Sequence, residues 1–420
     1  MKKIIQIILK ILAIKVLKKY QPEIIAITGS VGKTSTKEAI YAVLKSKFSD
    51  KVGRSIKNYN NEIGVPLSVL GCESAKKSLI GWLKIFLHGL DLIINKKKNY
   101  PEILILEMAA DRIGDIKYLT SFVPRKIAII TSVGKVHLQF FKQIEKIAEE
   151  KQNLINDLKS GAHAILNLDD PLVYNMKSKT KAKIHTFGFS AGTDIRASEA
   201  VISEHNGIKG INFKLISEGK IMPVFLPYVL GKQQVYAALA STCVGIIYKM
   251  NLLEISEALG RYRPPLGRMN LIQGIKNSLI IDDTYNASPF SAIAALESLK
   301  EISCEGKKII ILGDMLELGN YTEEGHKEVG KKAAQIADTL ITVGEMARDI
   351  ARGAKEAGME ENKIFSFTDL KIAGKFAQDR IKEGDIILIK GSQGARMEKI
   401  TKELMAEPLK AKELLVRQDF

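Results

Sequence analysis

The sequence predicts an α/β protein built from two doubly wound, mostly parallel sheets in succession, and three observations predict it. From residue 23 onward, short runs of β-branched and aliphatic residues alternate with segments of helical spacing, the signature of parallel α/β layers. The stretch "EIIAITGSVGKTSTKEAIYAVL" (23–44) joins one such run to one such segment through a glycine turn. At "RPPLGR" (263–268) two prolines and a glycine break the alternation, and it then starts afresh.

Taken in order, residues 1–22 read as a basic, apolar helix that precedes the first strand. Glu23 to Thr28 reads as a buried strand ending at Gly29, and Thr34 to Leu44 as a helix with Ala39, Ile40, Val43 and Leu44 on one side. "EILILEM" (102–108), "KIAIITSV" (126–133) and "AHAILNLD" (162–169) read as further buried strands. Residues 185–228 read as β-rich and irregular, and 233–250 and 252–262 as helices. Strands are expected again at 278–283, 307–313, 338–343, 363–367 and 385–390. The expected organisation is therefore a central domain over 23–263, of P-loop ATPase-like parallel-sheet type, and a Rossmann-like C-terminal domain over 264–420.

The turn in the first of these domains carries chemistry. Gly29 and Gly32 let the backbone turn its N–H groups toward an anion at a helix N-terminus. Lys33 adds a point charge for the outer phosphates, and the Thr34 hydroxyl suits Mg²⁺. The usual motif has four residues between its glycines, whereas G-S-V-G-K-T has two. With a strand before it and Lys-Thr-Ser after it, the turn reads as a nucleoside triphosphate site.

Composition narrows the class. The chain has 420 residues, 46% hydrophobic and 26% charged, as in an ordinary globular protein. Three cysteines, Cys72, Cys243 and Cys304, stand far apart, which excludes a zinc ribbon or disulfide framework and suits a reducing cytoplasm. The net charge of +16 fits an anionic membrane surface or polyanionic substrates. No helix-turn-helix, RNA-binding signature or aromatic-basic interleaving accompanies it, so no nucleic-acid partner is expected. Ile4 to Leu17 is too short and too charged to span a bilayer and lacks a cleavage site. Ser78 to Asn95 is cleaner. Gly81, Lys84, His88, Asp91 and Asn95 fall on one stripe and Leu79, Trp82, Leu83, Phe86, Leu90 and Ile93 on the other, with lysines at both ends. It reads either as an interfacial helix or as one packed on its own domain.

Further polar clusters sit where strands should end, as ligand sites do in open α/β sheets. They include Glu107, "VGKVHLQFF" with His137, "AEEKQNLI" with Lys151, "KNYNNEIGVP" (57–66), "IIDDTYNASP" (280–289), "ILGDMLELG" (311–319) and "ILIKGSQGARME" (387–398). Together with "LEMAADRIGDI", "NLDD" and "PLGRMN", these elements resemble, in content and order, the Mur ligase family over residues 23 to about 405. The pair Y-N-N-E-I-G-V-P and D-D-T-Y-N-A-S-P is most similar to its MurF-type branch, which joins D-alanyl-D-alanine to a UDP-muramoyl tripeptide.

The resemblance implies an ATP-dependent amide ligase of peptidoglycan precursor synthesis that works through an acyl phosphate, with ATP and two Mg²⁺ ions. It implies that Gly29, Ser30, Val31, Gly32, Lys33, Thr34 and Ser35 hold the ATP phosphates, with Lys33 on the transferred one. Thr34, Glu107, His137 and Lys151 would serve the metal ions, Lys151 as the lysine that is carbamoylated in many of these ligases. Asn167 would approach the adenine, Arg268 the phosphates and Asp283 the ribose. Asn60 and Asn61 would contact the acceptor, and Tyr285, Asn286, Lys390 and Ser392 the incoming dipeptide. Lys33, His137 and Lys151 are thus the expected catalytic residues of a cytoplasmic monomer that touches the inner face of the membrane.

The chain also departs from the family pattern. Gln139 replaces a glutamate, Asp111-Arg112 replaces Asn-His, and "GKQQVYA" (231–237) replaces G-R-H-N-x-x-N. Only 28 residues precede Gly29, whereas MurF-type ligases carry a uridine-binding domain there. Two other readings compete: a folylpolyglutamate or cyanophycin synthetase-like amino-acid ligase, and a non-catalytic ATP-binding scaffold.

Overall fold

The computed structural model describes residues 2–55, 58–134 and 138–417. The first sheet contains β1 (Glu23–Thr28), β2 (Val52–Arg54), β3 (Ile103–Glu107), β4 (Ile127–Ile130), β5 (His163–Asn167), β6 (Lys183–Gly188), β7 (Ile195–His205), β8 (Ile208–Ser217) and β9 (Lys220–Pro227). Their order is β2-β3-β1-β4-β5-β6-β7-β8-β9. Pairing is parallel as far as β7, and β7, β8 and β9 are antiparallel. β1, β3 and β4 are aliphatic along their whole length because helices cover both faces of the sheet, so no position can be polar except at the strand ends.

The second sheet contains β10 (Asn270–Gln273), β11 (Leu279–Asp283), β12 (Lys308–Gly313), β13 (Thr339–Val343), β14 (Ile364–Phe367) and β15 (Ile386–Lys390), in the order β10-β11-β15-β12-β13-β14. Only β10 runs antiparallel to its neighbour. The chain crosses between the sheets at residues 260–269, where Pro264 and Pro265 deny the backbone a helix.

Two points differ from the sequence reading. Residues 195–227 form an antiparallel meander of β7, β8 and β9, interrupted by a register shift between Ser198 and Val201. Its alternate residues Phe213, Leu215, Val224 and Leu226 are buried, and the same core takes in the helix Lys232–Ile247. β2 and β10 were not expected, being three- and four-residue edge strands with little periodicity to read. The N-terminal segment, read as a basic, apolar helix, is the helix α1 (Lys2–Tyr20), and its Leu9, Leu12, Ala13, Val16 and Leu17 share a core with the first sheet.

Three more helices matter below. α2 (Lys33–Phe48) follows β1, and α3 (Gly64–Leu70) and α4 (Leu79–Ile94) pack beside α1. The end of α1 closes the end of α4: Lys19 Nζ donates to the Leu92 and Ile93 carbonyls at 3.0 and 2.8 Å, and Tyr20 Oη to Leu92 at 3.1 Å. These bonds satisfy carbonyls that a helix C-terminus leaves open.

Candidate active site

The site assembles where β1, β3, β4 and β5 of one sheet and β11, β12 and β15 of the other present their C-terminal ends. β1 stops at Gly29, which no other residue could replace. A Cβ there would lie 1.9 Å from Thr131 Oγ1, and its φ is +153°. Gly32 is left-handed (φ 87°), and it heads α2 with no side-chain cap, so the first-turn N–H groups of α2 point outward. The loop is braced from the strand β4 side. Ser30 N donates to Ser132 O at 2.8 Å, Val31 N to Ser132 Oγ at 3.1 Å, and Thr131 Oγ1 to Val31 O at 2.6 Å.

Lys33 Nζ folds back onto Gly29 O at 2.7 Å. Burial holds its pKa below the ordinary lysine value; Glu107 and Asp111 pull the other way, and Arg268 adds to the lowering. Thr34 Oγ1 donates to Glu107 Oε2 at 2.9 Å, while Asn60 Nδ2 donates to Glu107 Oε1 at 2.8 Å. Glu107, buried at the end of β3, is therefore oriented through both carboxylate oxygens.

This oxygen pair fits Mg²⁺. Among the described residues no cluster of three His, Cys, Asp or Glu side chains could cage a cation. An ion beside Thr34 and Glu107 would take its other ligands from phosphate and water, as Mg²⁺ commonly does. His137 lies outside the described residues. Lys151 sits in the helix Ile144–Asn156 and is 4% exposed, not on the surface. Burial and the nearby Lys33 lower its pKa to about 7, against the pull of Glu150 and Asp111. The neighbouring Glu150 is spent on the Gly114 and Ile116 amides, at 2.7 and 2.6 Å.

Two hollows meet at Val31, Gly32 and Gln233. One, of about 400 Å³, is walled by Asn167, Asp169, Phe187, Tyr236 and Phe290 and has the size and aromatic lining for a purine base. Asn167 donates to Thr131 O at 2.9 Å and accepts from Asp169 N at 3.0 Å, so it ties β4 to β5 as it lines this wall. Tyr236 Oη donates to Asp169 Oδ2 at 2.8 Å, which fixes the opposite wall.

The other hollow, of about 410 Å³, takes Lys33 and Ser35 from the first sheet's side and Arg268, Asp283, Asn286, Lys390 and Ser392 from the second. The Arg268 guanidinium stacks on Tyr285 at 4.1 Å, and its buried Nε has no hydrogen-bond partner among the described residues. Lys390 is 2% exposed, and its Nζ donates to Asp283 Oδ2 at 2.6 Å and to Asn286 O at 2.8 Å. Ser392 Oγ bridges Ala287 O and Leu316 N. Asn61 Oδ1 accepts from Ile63 N and Gly64 N, an Asx turn that leads into α3.

Comparison with known proteins places this arrangement. Residues 27–80 and 87–245 match the Mur ligase middle domain, and 267–393 match the Mur ligase, glutamate ligase domain. The UDP-N-acetylmuramoyl-tripeptide–D-alanyl-D-alanine ligase of Bacillus subtilis is 32% identical over 92% of this chain and 76% of its own length. The chain belongs to the Mur ligase family. The crystal structure of MurF ligase from Thermotoga maritima in complex with ADP superposes with a TM-score of 0.78 at 29% identity, covering 96% of this chain and 84% of that one. The folylpolyglutamate synthase of Mycobacterium tuberculosis shares the fold alone, at 14% identity and a TM-score of 0.66, covering 92% and 93% of the two chains.

Within this Mur ligase site, several residues escaped the sequence reading. Asp169, Gln233, Tyr236 and Phe290 wall the base-sized hollow, yet none sits in a glycine turn or at a charged strand end other than Asp169. Phe290 had one signal, its position directly after the proline that starts the helix Pro289–Lys300. Gln234, in the segment that departs from the family pattern, accepts from Tyr262 Oη at 2.8 Å and donates to Arg268 O at 3.1 Å. It links the two sheets next to the cleft. Asp111, another departure, faces both Lys33 and Lys151 electrostatically.

Proposed function

We propose that the protein is a MurF-type, ATP-dependent amide ligase that joins D-alanyl-D-alanine to a muramoyl tripeptide. The observation that carries this is the single cleft in which the Lys33 loop faces Arg268, Asp283, Asn286 and Ser392 of the other sheet. The B. subtilis relative bears the same activity in its name. ATP would lie with its base between Asn167, Tyr236 and Phe290 and its phosphates on Gly29 to Ser35. The acceptor carboxylate attacks the γ-phosphorus, releasing ADP and leaving an acyl phosphate. The dipeptide amine then adds to the acyl carbon, loses its proton, and phosphate departs as the amide closes.

The residues align and neutralise; none becomes covalently attached. Lys33 and Arg268 offset the charge on the phosphates, and Asn60 holds the Glu107 carboxylate in place. Two Mg²⁺ ions, held by Thr34, Glu107, His137 and a carbamoylated Lys151, would supply charge neutralisation for the phosphoryl group. Asn61 would lie on the acceptor side, and Tyr285, Asn286, Lys390 and Ser392 on the dipeptide side. The domains we assign are 1–22, 23–263 and 264–420. The enzyme works as a cytoplasmic monomer in peripheral contact with the inner face of the membrane.

Phosphate release and product mass measured with UDP-muramoyl tripeptide and D-alanyl-D-alanine are expected to show ATP-dependent ligation of that pair. Release with single amino acids such as glutamate, and not with the dipeptide, would move the protein to the folylpolyglutamate-like class. No turnover with any amine would leave a nucleotide-binding scaffold.

A further inference from the structure

The helix α4 is apolar on two opposite faces. Trp82, Ile85, Gly89 and Leu92 are buried against the body of the protein, with Gly89 on Leu12 of α1. This answers half of the sequence reading, because the helix does pack on its own domain. A helix whose only role is packing turns polar residues outward. Here Leu79, Ile80, Leu83, Leu87, Leu90 and Ile94 are exposed, by 45% to 75%.

α1 continues the same surface. Tyr20 Oη reaches Asn95 O at 3.1 Å, and Leu12 lies at Gly89, so the two helices run side by side in the same direction. Ile4, Ile7 and Ile11 are exposed by 62%, 53% and 48%, and Lys15 and Lys18 extend that stripe toward the C-terminal end. At roughly 1.5 Å per residue the two helices form a plate about 25 Å long.

The charge imbalance of the chain is concentrated on these two segments. Residues 2–20 and 76–98 hold twelve lysines and one aspartate, eleven of the sixteen net positive charges. Lys96, Lys97 and Lys98 also line a hollow of about 820 Å³ at the end of α4, together with Arg54 and His88. Lys97 there pairs with Asp91 at 2.7 Å. No helix among the described residues is long and apolar enough to cross a membrane.

We infer that α1 and α4 form an interfacial plate that seats the enzyme on an anionic bilayer, with the exposed aliphatic stripe in the acyl boundary and the lysines on the headgroups. Exposed aliphatic side chains rimmed by lysine on two helices packed side by side suit a lipid surface, where apolar insertion and attraction to anionic headgroups act together. A soluble protein partner would need acidic groups around an apolar ridge. The inference deepens the peripheral contact of the proposed function and depends on it only for the compartment. Catalysis is not involved.

The test is co-sedimentation with vesicles of phosphatidylglycerol and phosphatidylcholine, against phosphatidylcholine alone, at low and high salt. The protein is expected to partition at least tenfold better onto the anionic vesicles and to release as salt rises. The exposed triple variant Leu83→Glu, Leu87→Glu, Leu90→Glu is expected to lose that binding at least tenfold and to ligate soluble substrates at the wild-type rate. If that variant misfolds, Lys15→Glu with Lys18→Glu and Lys84→Glu makes the same test from the charge side. Absent binding at low salt, or binding indifferent to both variants, overturns the inference and leaves the ligase reading intact. A wild-type dimer in light scattering that the leucine variant dissociates would also overturn it, because a second copy would then cover the plate.

Discussion

Lys33→Ala is expected to abolish ATP-dependent ligation, lowering kcat/KM by at least about 10³-fold, or ~4 kcal/mol, without unfolding the protein. Lys33 Nζ rests on Gly29 O in the loop it serves, a contact within one turn of its own helix. Little tertiary structure depends on it. Its charge matters most when negative charge spreads over the phosphoryl oxygens in the transition state. The measurement pairs phosphate release at saturating ATP with a thermal melt. Turnover within about tenfold of wild type, a loss of only ~1.4 kcal/mol, would mean that the turn does not hold the transferred phosphate.

The second large effect is expected at Lys151. A bare ammonium beside Lys33 would repel both that lysine and any Mg²⁺ ion, and its burial already pushes its pKa down to about 7. The neutral amine therefore dominates above about pH 7, and it is this form that attacks CO₂: a C–N bond forms, one proton leaves, and an anionic carbamate oxygen results. That converts a repelling positive charge into a hard oxygen ligand of the kind Mg²⁺ takes. Lys151→Ala is expected to cost about 10²-fold or more in turnover, and added acetate or propionate to restore part of it. Wild-type activity is expected to fall on bicarbonate depletion, and more steeply below pH 7, where protonation competes with CO₂. The same depressed pKa has a stability consequence of opposite origin. Between about pH 7 and the ordinary lysine value the unfolded chain binds a proton that the folded chain refuses, so this residue's contribution improves as pH rises. A fully active Lys151→Ala enzyme, or one indifferent to bicarbonate, rules out the carbamate.

Local order explains which features could be read in advance. The turn at 29–35, the strand end at Glu107 and the paired aspartates at 282–283 are each specified within a few residues, and each stands at a strand end in the fold. Even there, the two aspartates divide. Asp283 lines the cleft, whereas Asp282 is fully buried, its pKa raised to about 7 by burial although Thr284 and Thr401 hydroxyls donate to it. Nothing in the sequence separates those neighbours, because the distinction depends on which side of β11 faces the helix Glu398–Leu404. The wall of the base-sized hollow was less accessible still. Asn167 is named by the family resemblance, but Tyr236 and Phe290 lie far from it in sequence and meet it only because β5, the helix after β9 and the start of the second sheet's first helix converge. α4 was ambiguous for a different reason. Its two apolar faces blur the usual helical contrast, and only its packing separates Trp82 from Leu83.

The crossover at residues 260–269 makes the nucleotide a structural partner as well as a substrate. One face of the cleft, with Gly32 and Lys33, belongs to the first sheet, and the other, with Arg268, Asp283 and Lys390, to the second. A ligand held by both is mortar between two bodies, and its binding free energy appears as cohesion between them. At a hundred times its dissociation constant such a ligand adds ~2.7 kcal/mol to the assembled form. Calorimetry of the ligand-free protein is thus expected to resolve separate melting of the two halves. A non-hydrolysable ATP analogue should fuse them into one later transition, and a nucleotide that raised only the first half's melting would place all of its contacts on the Lys33 side.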